Sequence, residues 1–137
     1  MFLIHGRIKF MKTILVDAVG TFVSEEGIIY KPLRDLLDEY TNRKIILTGA
    51  DYESDNKYSL NDMPYEVFTL KHNPEKTDPK YFETMLEHFG LSKDEVIYFE
   101  HNPEAVKSAE SVGIKSYLYD PEKKDLEVLK KFLDENL

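Results

Sequence analysis

The 137-residue chain contains no cysteine and has fewer basic than acidic side chains, 18 against 26. Without cysteine, neither a disulfide framework nor thiolate chemistry is available, which fits the reducing cytoplasm where we expect the protein. The formal net charge of −8 argues against a nucleic acid or an anionic membrane surface as a partner. An anionic substrate would therefore need local help from lysines and backbone N–H groups.

Long apolar runs are also missing. No run approaches the ~20 residues of a membrane-spanning helix, and Phe2-Leu3-Ile4 is too short for the core of a signal peptide. We assign residues 1–11 to an N-terminal leader, either an extra edge strand or a tail, with the tail favoured. Residues 12–137 contain no internal repeat, low-complexity tract or linker, and their number suits one domain.

Short apolar runs alternate with amphipathic segments from Lys12 onwards. The predicted strands cover residues 13–16, 44–47, 66–70, 96–99 and 114–119, and the predicted helices begin at Pro32, Pro79, Pro103 and Glu122. This alternation predicts an α/β fold, a three-layer αβα sandwich around a Rossmann-like parallel sheet of about five strands. Residues 22–23 and 28–29 predict a small hairpin, and the polar region 50–64 predicts a short helix with irregular structure.

Polar side chains follow three of these apolar runs. Asp17 ends the first run and Gly20-Thr21 follows it, Thr48-Gly49 ends the second, and Glu100-His101-Asn102-Pro103 ends a later one. Because the carboxyl ends of parallel strands share one edge of a sheet, we expect Asp17, Thr48 and Glu100 to converge on one cleft. A carboxylate placed there can act as a nucleophile. Lys76, shortly before Pro79, is expected to reach into the same cleft.

Each of these residues also has an ordinary structural explanation. Asp17 can cap the turn that follows it. The Thr48 hydroxyl can bind its own backbone. Lys76 can be a solvated lysine at the start of a helix. The Glu100-His101 pair can be a polar turn at the end of a strand.

The order of an aspartate, a threonine, a lysine and an acid-bearing turn resembles the haloacid dehalogenase (HAD) superfamily, over residues 11–119. The resemblance implies a HAD-like core domain over residues 12–137, with Asp17 as the nucleophile. It implies that Thr48 and Lys76 are the other catalytic residues, Lys76 neutralising the charge that Asp17 shares with the substrate. The phosphate-binding groups that it implies are Thr48, Lys76, the amide of Gly49, and backbone N–H groups at Gly20 and Thr21.

Two positions depart from the pattern of the family's phosphatases. Val19 stands where these enzymes have the aspartate that protonates the leaving group, a role typically worth ~10²–10⁴-fold. Ala105 stands where a further aspartate often helps to hold Mg²⁺. Asp17, the carbonyl of Val19 and Glu100 would then form a weakened Mg²⁺ site. His101 suits a hydrogen bond or a softer metal better than Mg²⁺, and Asp51 is a candidate for a displaced acid.

The chain has little room for the cap domain that larger family members carry. Only ten residues separate Thr21 from Pro32, and only residues 71–75 lie between the third predicted strand and Lys76. We therefore expect a capless protein whose site is open, or is covered by a partner subunit in a homo-oligomer.

Three functions are consistent with these features. The first is a HAD-like hydrolase, a weak or atypical phosphatase that acts on a small phosphorylated molecule through an aspartyl nucleophile with weakly bound Mg²⁺. The second is a catalytically inactive protein that uses the HAD fold to bind a phosphorylated ligand or a protein. The third is a metal-independent, dehalogenase-like enzyme, which Val19 and Asn102 suggest but which would need a cap to bury its substrate.

Overall fold

The computed structural model describes residues 2–4, 7–9, 11–51 and 60–137, and the side chains of the last two ranges. Within these residues the chain forms seven strands, four α-helices and one short 3₁₀ turn. In chain order they are β1 (Phe2–Ile4), β2 (Arg7–Lys9), β3 (Thr13–Asp17), α1 (Lys31–Leu37), β4 (Lys44–Thr48), β5 (Glu66–Thr69), α2 (Pro79–Phe89), the 3₁₀ turn (Lys93–Glu95), β6 (Val96–Glu100), α3 (Pro103–Ser111), β7 (Lys115–Leu118) and α4 (Leu126–Asn136). None of the helices in the described part is both long and apolar enough to cross a membrane.

Five of the strands form one parallel sheet in the order β5-β4-β3-β6-β7. The chain runs outwards from β3 through β4 to β5, and then crosses back over β3 to form β6 and β7. The strand order therefore reverses between β3 and β6, and in open parallel sheets ligands bind beyond the carboxyl ends of the strands at such a point. The predicted α/β sheet of five strands is confirmed.

Alternate side chains of the strands enter two separate cores, one on each face of the sheet. Ile14 and Val16 of β3 pack on one face with residues of α1 and α4, whereas Leu15 packs on the other with residues of α2. The strands are buried on both faces because helices cover both, which explains why they are continuous apolar runs. This is the predicted three-layer αβα arrangement.

The helices on the site side begin at side-chain caps. Asp78 Oδ1 accepts a hydrogen bond from the backbone N–H of Lys80 at the start of α2, and Asn102 Oδ1 accepts one from Glu104 at the start of α3. Gly90, with a φ of 65°, ends α2 in the left-handed conformation that glycine adopts without strain. The predicted starts of these helices, at Pro79 and Pro103, are confirmed, because the capping residue and the proline of each lie in the local sequence.

The last helix begins later than predicted, at Leu126 rather than Glu122. Asp120 Oδ1 accepts hydrogen bonds from the backbone N–H groups of Glu122 and Lys123, which makes a turn of this segment. Asp125 then caps α4, its side chain accepting from the N–H of Val128. The chain therefore turns at Asp120, and the helix begins only at the cap that Asp125 provides.

The small hairpin after β3 is confirmed. Val23 forms an antiparallel bridge with Ile29, the N–H of Ser24 donates to the carbonyl of Ile28 over 2.9 Å, and Gly27 turns with a φ of 80°. In the described chain the residues between β3 and α1 form this hairpin, a parallel bridge between Val19 and Val23, and turns. Residues 70–78, between β5 and α2, form no helix or strand. The absence of a cap domain stays a prediction.

Two expectations concern less fully described segments. The strands β1 and β2 pair with each other, antiparallel, in a two-stranded sheet of their own, so the leader is not an edge strand of the five-stranded sheet. The division into a leader at residues 1–11 and a domain at 12–137 stays a prediction. The short helix expected in region 50–64 falls mainly on residues 52–59, outside the described residues, and residues 60–64 are not helical.

Candidate active site

The site lies beyond the carboxyl ends of β3, β4 and β6. Asp17, Thr48 and Glu100 end these strands, and their residues are 1%, 4% and 0% exposed. Lys76 enters from the loop before α2, and its Nζ lies 2.6 Å from Asp17 Oδ1 and 2.7 Å from Glu100 Oε1. The predicted convergence of the strand ends and of Lys76 is therefore observed.

The two oxygens of the Asp17 carboxylate have different surroundings. Oδ1 accepts a hydrogen bond from Lys76. Oδ2 accepts one from the Thr21 hydroxyl over 2.6 Å, one from His101 Nδ1 over 2.5 Å and one from the His101 backbone N–H over 3.3 Å. Three donors saturate Oδ2, whereas a single partner leaves Oδ1 with a lone pair for another contact.

Asp17 is ionised although it is buried. Burial alone would raise the pKa of its carboxyl, but the charge of Lys76 and the hydrogen bond from His101 outweigh burial and hold the pKa well below its usual value. Burial would lower the pKa of Lys76, and the carboxylates of Asp17 and Glu100 raise it instead. The pair is therefore charged on both sides at neutral pH.

Glu100 is the second buried carboxylate of the cluster. Its Oε1 accepts hydrogen bonds from Lys76 and from the hydroxyl of Tyr98, and its Oε2 accepts one from the backbone N–H of Asn102 over 3.0 Å. Tyr98 also contacts Lys76, with 3.3 Å between its hydroxyl and Nζ. Sequence reasoning missed Tyr98 by treating it as part of an apolar run. Its position two residues before Glu100 on a strand, and so on the same face, was the available signal.

His101 lies between the two carboxylates. Its Nδ1 is 2.5 Å from Asp17 Oδ2 and 3.3 Å from Glu100 Oε2. The hydrogen bonds to Asp17 and Glu100 raise the pKa of His101 to about 10, against the opposing effect of burial. The ring rests against Gly20, where an added Cβ would lie 2.6 Å from His101 Cε1. This long-range contact leaves no trace in the local sequence pattern.

The backbone groups expected at Gly20 and Thr21 are already paired. The N–H of Gly20 donates to the carbonyl of Val23 over 2.9 Å, and that of Thr21 donates to the carbonyl of Ala18 over 3.2 Å. The tight turn and the hairpin use both donors in this arrangement. The assignment of Gly20 and Thr21 as phosphate-binding residues stays a prediction. The Thr21 side chain contributes to the site through its bond to Asp17.

Thr48 and Gly49 line the opposite wall of the cleft. Thr48 Oγ1 accepts a hydrogen bond from the N–H of Ala50 over 3.1 Å, so its own hydrogen is available for a further acceptor. Glu75 Oε2 lies 2.7 Å from the position that a Cβ on Gly49 would occupy, so a larger residue there would displace the end of the Glu75 side chain. Glu75 in turn contacts His72 at the rim, with 2.5 Å between Oε1 and Nδ1.

These walls enclose an open cleft of about 230 Å³. Val19 and Ala105, the two positions where acidic residues were expected, both line it. Two apolar side chains therefore face the space where family phosphatases would carry acids. Asp51, the candidate for a displaced acid, is not among the described residues that line this cleft.

One group of side chains in the described part has the composition of a metal site. Ligand atoms of Asp17, Glu100 and His101 all lie within 4.8 Å of one another. The carboxylates are buried, and His101 is partly exposed towards the cleft. A further ligand predicted from the sequence, the carbonyl of Val19, stays a prediction.

Comparison by sequence gives no relatives: no family model and no curated protein matches the chain. Comparison by structure does. A HAD family enzyme of Bacteroides thetaiotaomicron, solved as a magnesium complex, superposes with a TM-score of 0.66 at 13% identity, over 88% of this chain and 99% of that one.

Two further structures are similar. A predicted HAD-like family hydrolase of Porphyromonas gingivalis gives a TM-score of 0.62 at 11% identity, over 91% of this chain and 98% of that one. A hydrolase of Streptococcus pneumoniae gives 0.59 at 18% identity, over 80% and 59%. At such identities the likeness concerns the fold, which was also expected from the order of the motifs. The chain has a HAD-like fold.

Proposed function

We propose that this protein is a HAD-like hydrolase that uses Asp17 as a nucleophile towards small phosphorylated molecules with good leaving groups. The observation that carries the proposal is the Asp17 carboxylate itself. It is buried and ionised, and its Oδ1 accepts a hydrogen bond from a single residue. Lys76 binds that oxygen, Oδ1, while Thr21 and His101 fix the other. The HAD-like fold of solved hydrolases adds support.

We assign the attack to Oδ1 of Asp17, because it has fewer hydrogen-bond partners than Oδ2. Oδ1 forms a bond to phosphorus as the bond from phosphorus to the leaving oxygen breaks, and the leaving group takes that electron pair. Water then attacks the aspartyl phosphate, which releases phosphate and regenerates Asp17. Lys76 balances negative charge on Asp17 and on the phosphoryl group, and the Thr48 hydroxyl donates to a phosphoryl oxygen.

Leaving-group chemistry follows from Val19. A valine cannot donate a proton, so the departing oxygen leaves as an anion unless water protonates it. Acyl phosphates and aryl phosphates produce stable anions, whereas the alkoxides of sugar phosphates are poor leaving groups. We therefore place activated phosphates, rather than sugar phosphates, in the substrate class.

Magnesium is the cation that we propose for this site. The donor chemistry fits, because Asp17 and Glu100 offer carboxylate oxygens, the ligands that Mg²⁺ prefers. The solved HAD family enzyme of Bacteroides is a magnesium complex. Asp17, Glu100 and the Val19 carbonyl would hold the ion, and it would supply positive charge for the transferring phosphoryl group. The ring of His101 stands among these oxygens, so binding is expected to be weak.

The test is the hydrolysis of p-nitrophenyl phosphate and acetyl phosphate by the purified protein with Mg²⁺. We expect slow turnover that Asp17→Asn abolishes. Asp35→Asn is the matched control, since this aspartate lies on the surface of α1 and pairs only with the exposed Lys31 among the described residues. Val19→Asp should raise the rate with a sugar phosphate, because it restores a proton donor.

If no turnover depends on Asp17, and Val19→Asp rescues none, the proposal that this protein is a hydrolase is contradicted. That result would favour the alternative, an inactive protein that binds a phosphorylated ligand in the same cleft. One observation supports that alternative specifically. The two buried carboxylates already face two basic side chains, Lys76 and His101, and both positions expected to be acidic are apolar.

A further inference from the structure

The ring of His101 occupies the space between the two carboxylates that a divalent cation would use. Its Nδ1 lies 2.5 Å from Asp17 Oδ2 and 3.3 Å from Glu100 Oε2. A Mg²⁺ ion bound to these oxygens would stand about 2.0–2.1 Å from each of them. The ion and the ring nitrogen cannot share this volume.

The backbone opposite His101 is shaped to receive the ring. A Cβ on Gly20 would lie 2.6 Å from Cε1, 2.8 Å from Nε2 and 3.0 Å from Nδ1 of His101. The imidazole therefore lies directly on the glycine, in space that any other residue would fill. The φ of Gly20, 96°, also suits glycine alone.

The ring also has a path out of this position. The side chain of His101 is 35% exposed, in contrast to 2% for Asp17 and 1% for Glu100. It borders the open cleft, so rotation about its side-chain bonds would take it towards solvent. The carboxylates, which are fixed by Lys76, Thr21 and backbone N–H groups, would stay in place.

We propose that His101 and a divalent cation are alternative occupants of the space between Asp17 and Glu100, and that the ring must turn away before Mg²⁺ binds. His101 is then a positioning residue for Asp17 in the metal-free protein and the competitor that weakens Mg²⁺ binding. The inference rests on the proposed function in taking Mg²⁺ as the cation of this site. It needs no substrate and no turnover.

The test is titration calorimetry with MgCl₂ alone on the full chain. We expect His101→Ala to lower the dissociation constant for Mg²⁺ about tenfold or more, because the ion no longer displaces a hydrogen bond between charged groups. His72→Ala is the matched control. His72 lines the same cleft but pairs with Glu75, so its removal should change the constant less than about twofold.

A wild-type experiment guards against a variant that does not fold. On addition of Mg²⁺, the ring ¹H and ¹⁵N resonances of His101 should shift as it leaves Asp17, while those of the remote His88 stay unchanged. An unchanged or weaker affinity in His101→Ala, no detectable binding to either protein, or His101 resonances that ignore bound Mg²⁺ would each overturn the proposal.

The outcomes separate this inference from the proposed function. Tighter Mg²⁺ binding by His101→Ala without any hydrolysis that depends on Asp17 would support the competition and defeat the hydrolase. Hydrolysis that depends on Asp17, with an affinity for Mg²⁺ that His101→Ala leaves unchanged, would support the hydrolase and contradict the competition between His101 and Mg²⁺.

Discussion

Lys76 contributes a charge that balances two buried carboxylates at once. Its Nζ contacts Asp17 and Glu100 over 2.6 and 2.7 Å, and its side chain is 14% exposed. Removing one partner of such a pair is costly, since an uncompensated charge stays in the interior. The lysine therefore has a structural role as well as the proposed chemical one, and a loss of activity in a Lys76 variant would not by itself reveal which role was lost.

Tyr98 and Tyr119 form a matched pair for testing the polar cluster. Both are buried, but the Tyr98 hydroxyl bonds Glu100, whereas the Tyr119 hydroxyl has no hydrogen-bond partner in the described part of the chain. Tyr98→Phe should lower the free energy of unfolding by about 1–3 kcal/mol, because a buried carboxylate loses a donor. Tyr119→Phe should be neutral or stabilising, because it removes an unpaired hydroxyl.

Urea denaturation of the two variants measures this difference. Similar free energies of unfolding for the two variants would mean that the hydrogen bond from Tyr98 to Glu100 does not contribute to stability. A selective loss in Tyr98→Phe would show that its hydroxyl supports the carboxylate of Glu100. The prediction concerns stability alone, so it holds whether or not the protein is an enzyme.

Sequence reasoning at this scale found Asp17, Thr48, Lys76 and Glu100, because each stands directly after an apolar run or before a proline. It did not find the contact of His101 with Gly20, nor that the N–H groups of Gly20 and Thr21 bond the carbonyls of Val23 and Ala18. These features depend on how the turn after β3 meets the end of β6. Residues more than 80 positions apart make that contact, and a local pattern carries no information about it.

At the scale of elements, the edge strand β5 is tied to β4 by an ion pair. Arg43, just before β4, donates two hydrogen bonds to Glu66 at the start of β5, over 2.8 and 3.0 Å. The bonds from Arg43 lower the pKa of Glu66 below its ordinary value of 4.5. Arg43 also stacks on Phe89 at the end of α2, with 5.1 Å from its guanidinium carbon to the ring centre.

The stability that this pair provides should depend on pH. A carboxyl with a lowered pKa stabilises the fold above its ordinary pKa, and the contribution disappears as pH falls through the lowered value. Arg43→Gln should therefore cost up to about 1 kcal/mol at neutral pH, a small amount because both side chains are half exposed. The deficit should shrink, without vanishing, at acidic pH, since the contact with Phe89 does not titrate.

Chemical denaturation at about pH 7 and about pH 3.5, on the wild type and on Arg43→Gln, measures this dependence. Glu66→Gln is the companion variant, and its deficit should also shrink in acid. A deficit in Arg43→Gln that is equal at both pH values would assign the whole effect to packing on Phe89.

The elements themselves were largely predictable, for reasons that differ between them. Parallel strands covered on both faces leave unbroken apolar runs, and α2 carries its own cap at Asp78 and its own stop at Gly90. The start of α4 was not predictable from apolar spacing alone. There Asp120 and Asp125 both offer capping oxygens, and only the folded chain shows that Asp125 begins the helix.

At the scale of the whole molecule, the sheet is complete without the first ten residues. All five strands lie between Thr13 and Leu118, and β1 and β2 pair with each other rather than with this sheet. Lys12 marks where the chain joins the described core. Its Nζ donates to the carbonyl of Asn136 over 2.9 Å, and its own carbonyl accepts from the Asn42 side chain over 2.8 Å.

A protein that begins at Met11 should consequently fold and keep the properties of the site. We expect its free energy of unfolding to match that of the full chain within about 0.5 kcal/mol, with an unchanged denaturant slope. Lys12→Met in the full chain provides the comparison. It removes the hydrogen bond to the end of α4 and should cost about 0.5–1.5 kcal/mol.

A shortened protein that loses more free energy of unfolding than Lys12→Met does, or that unfolds with a smaller denaturant slope, would show that the leader packs against the domain. The division at residue 12 would then be wrong. The expectation of an open site beyond β3 and β6 would also need a new test, because the leader could cover it.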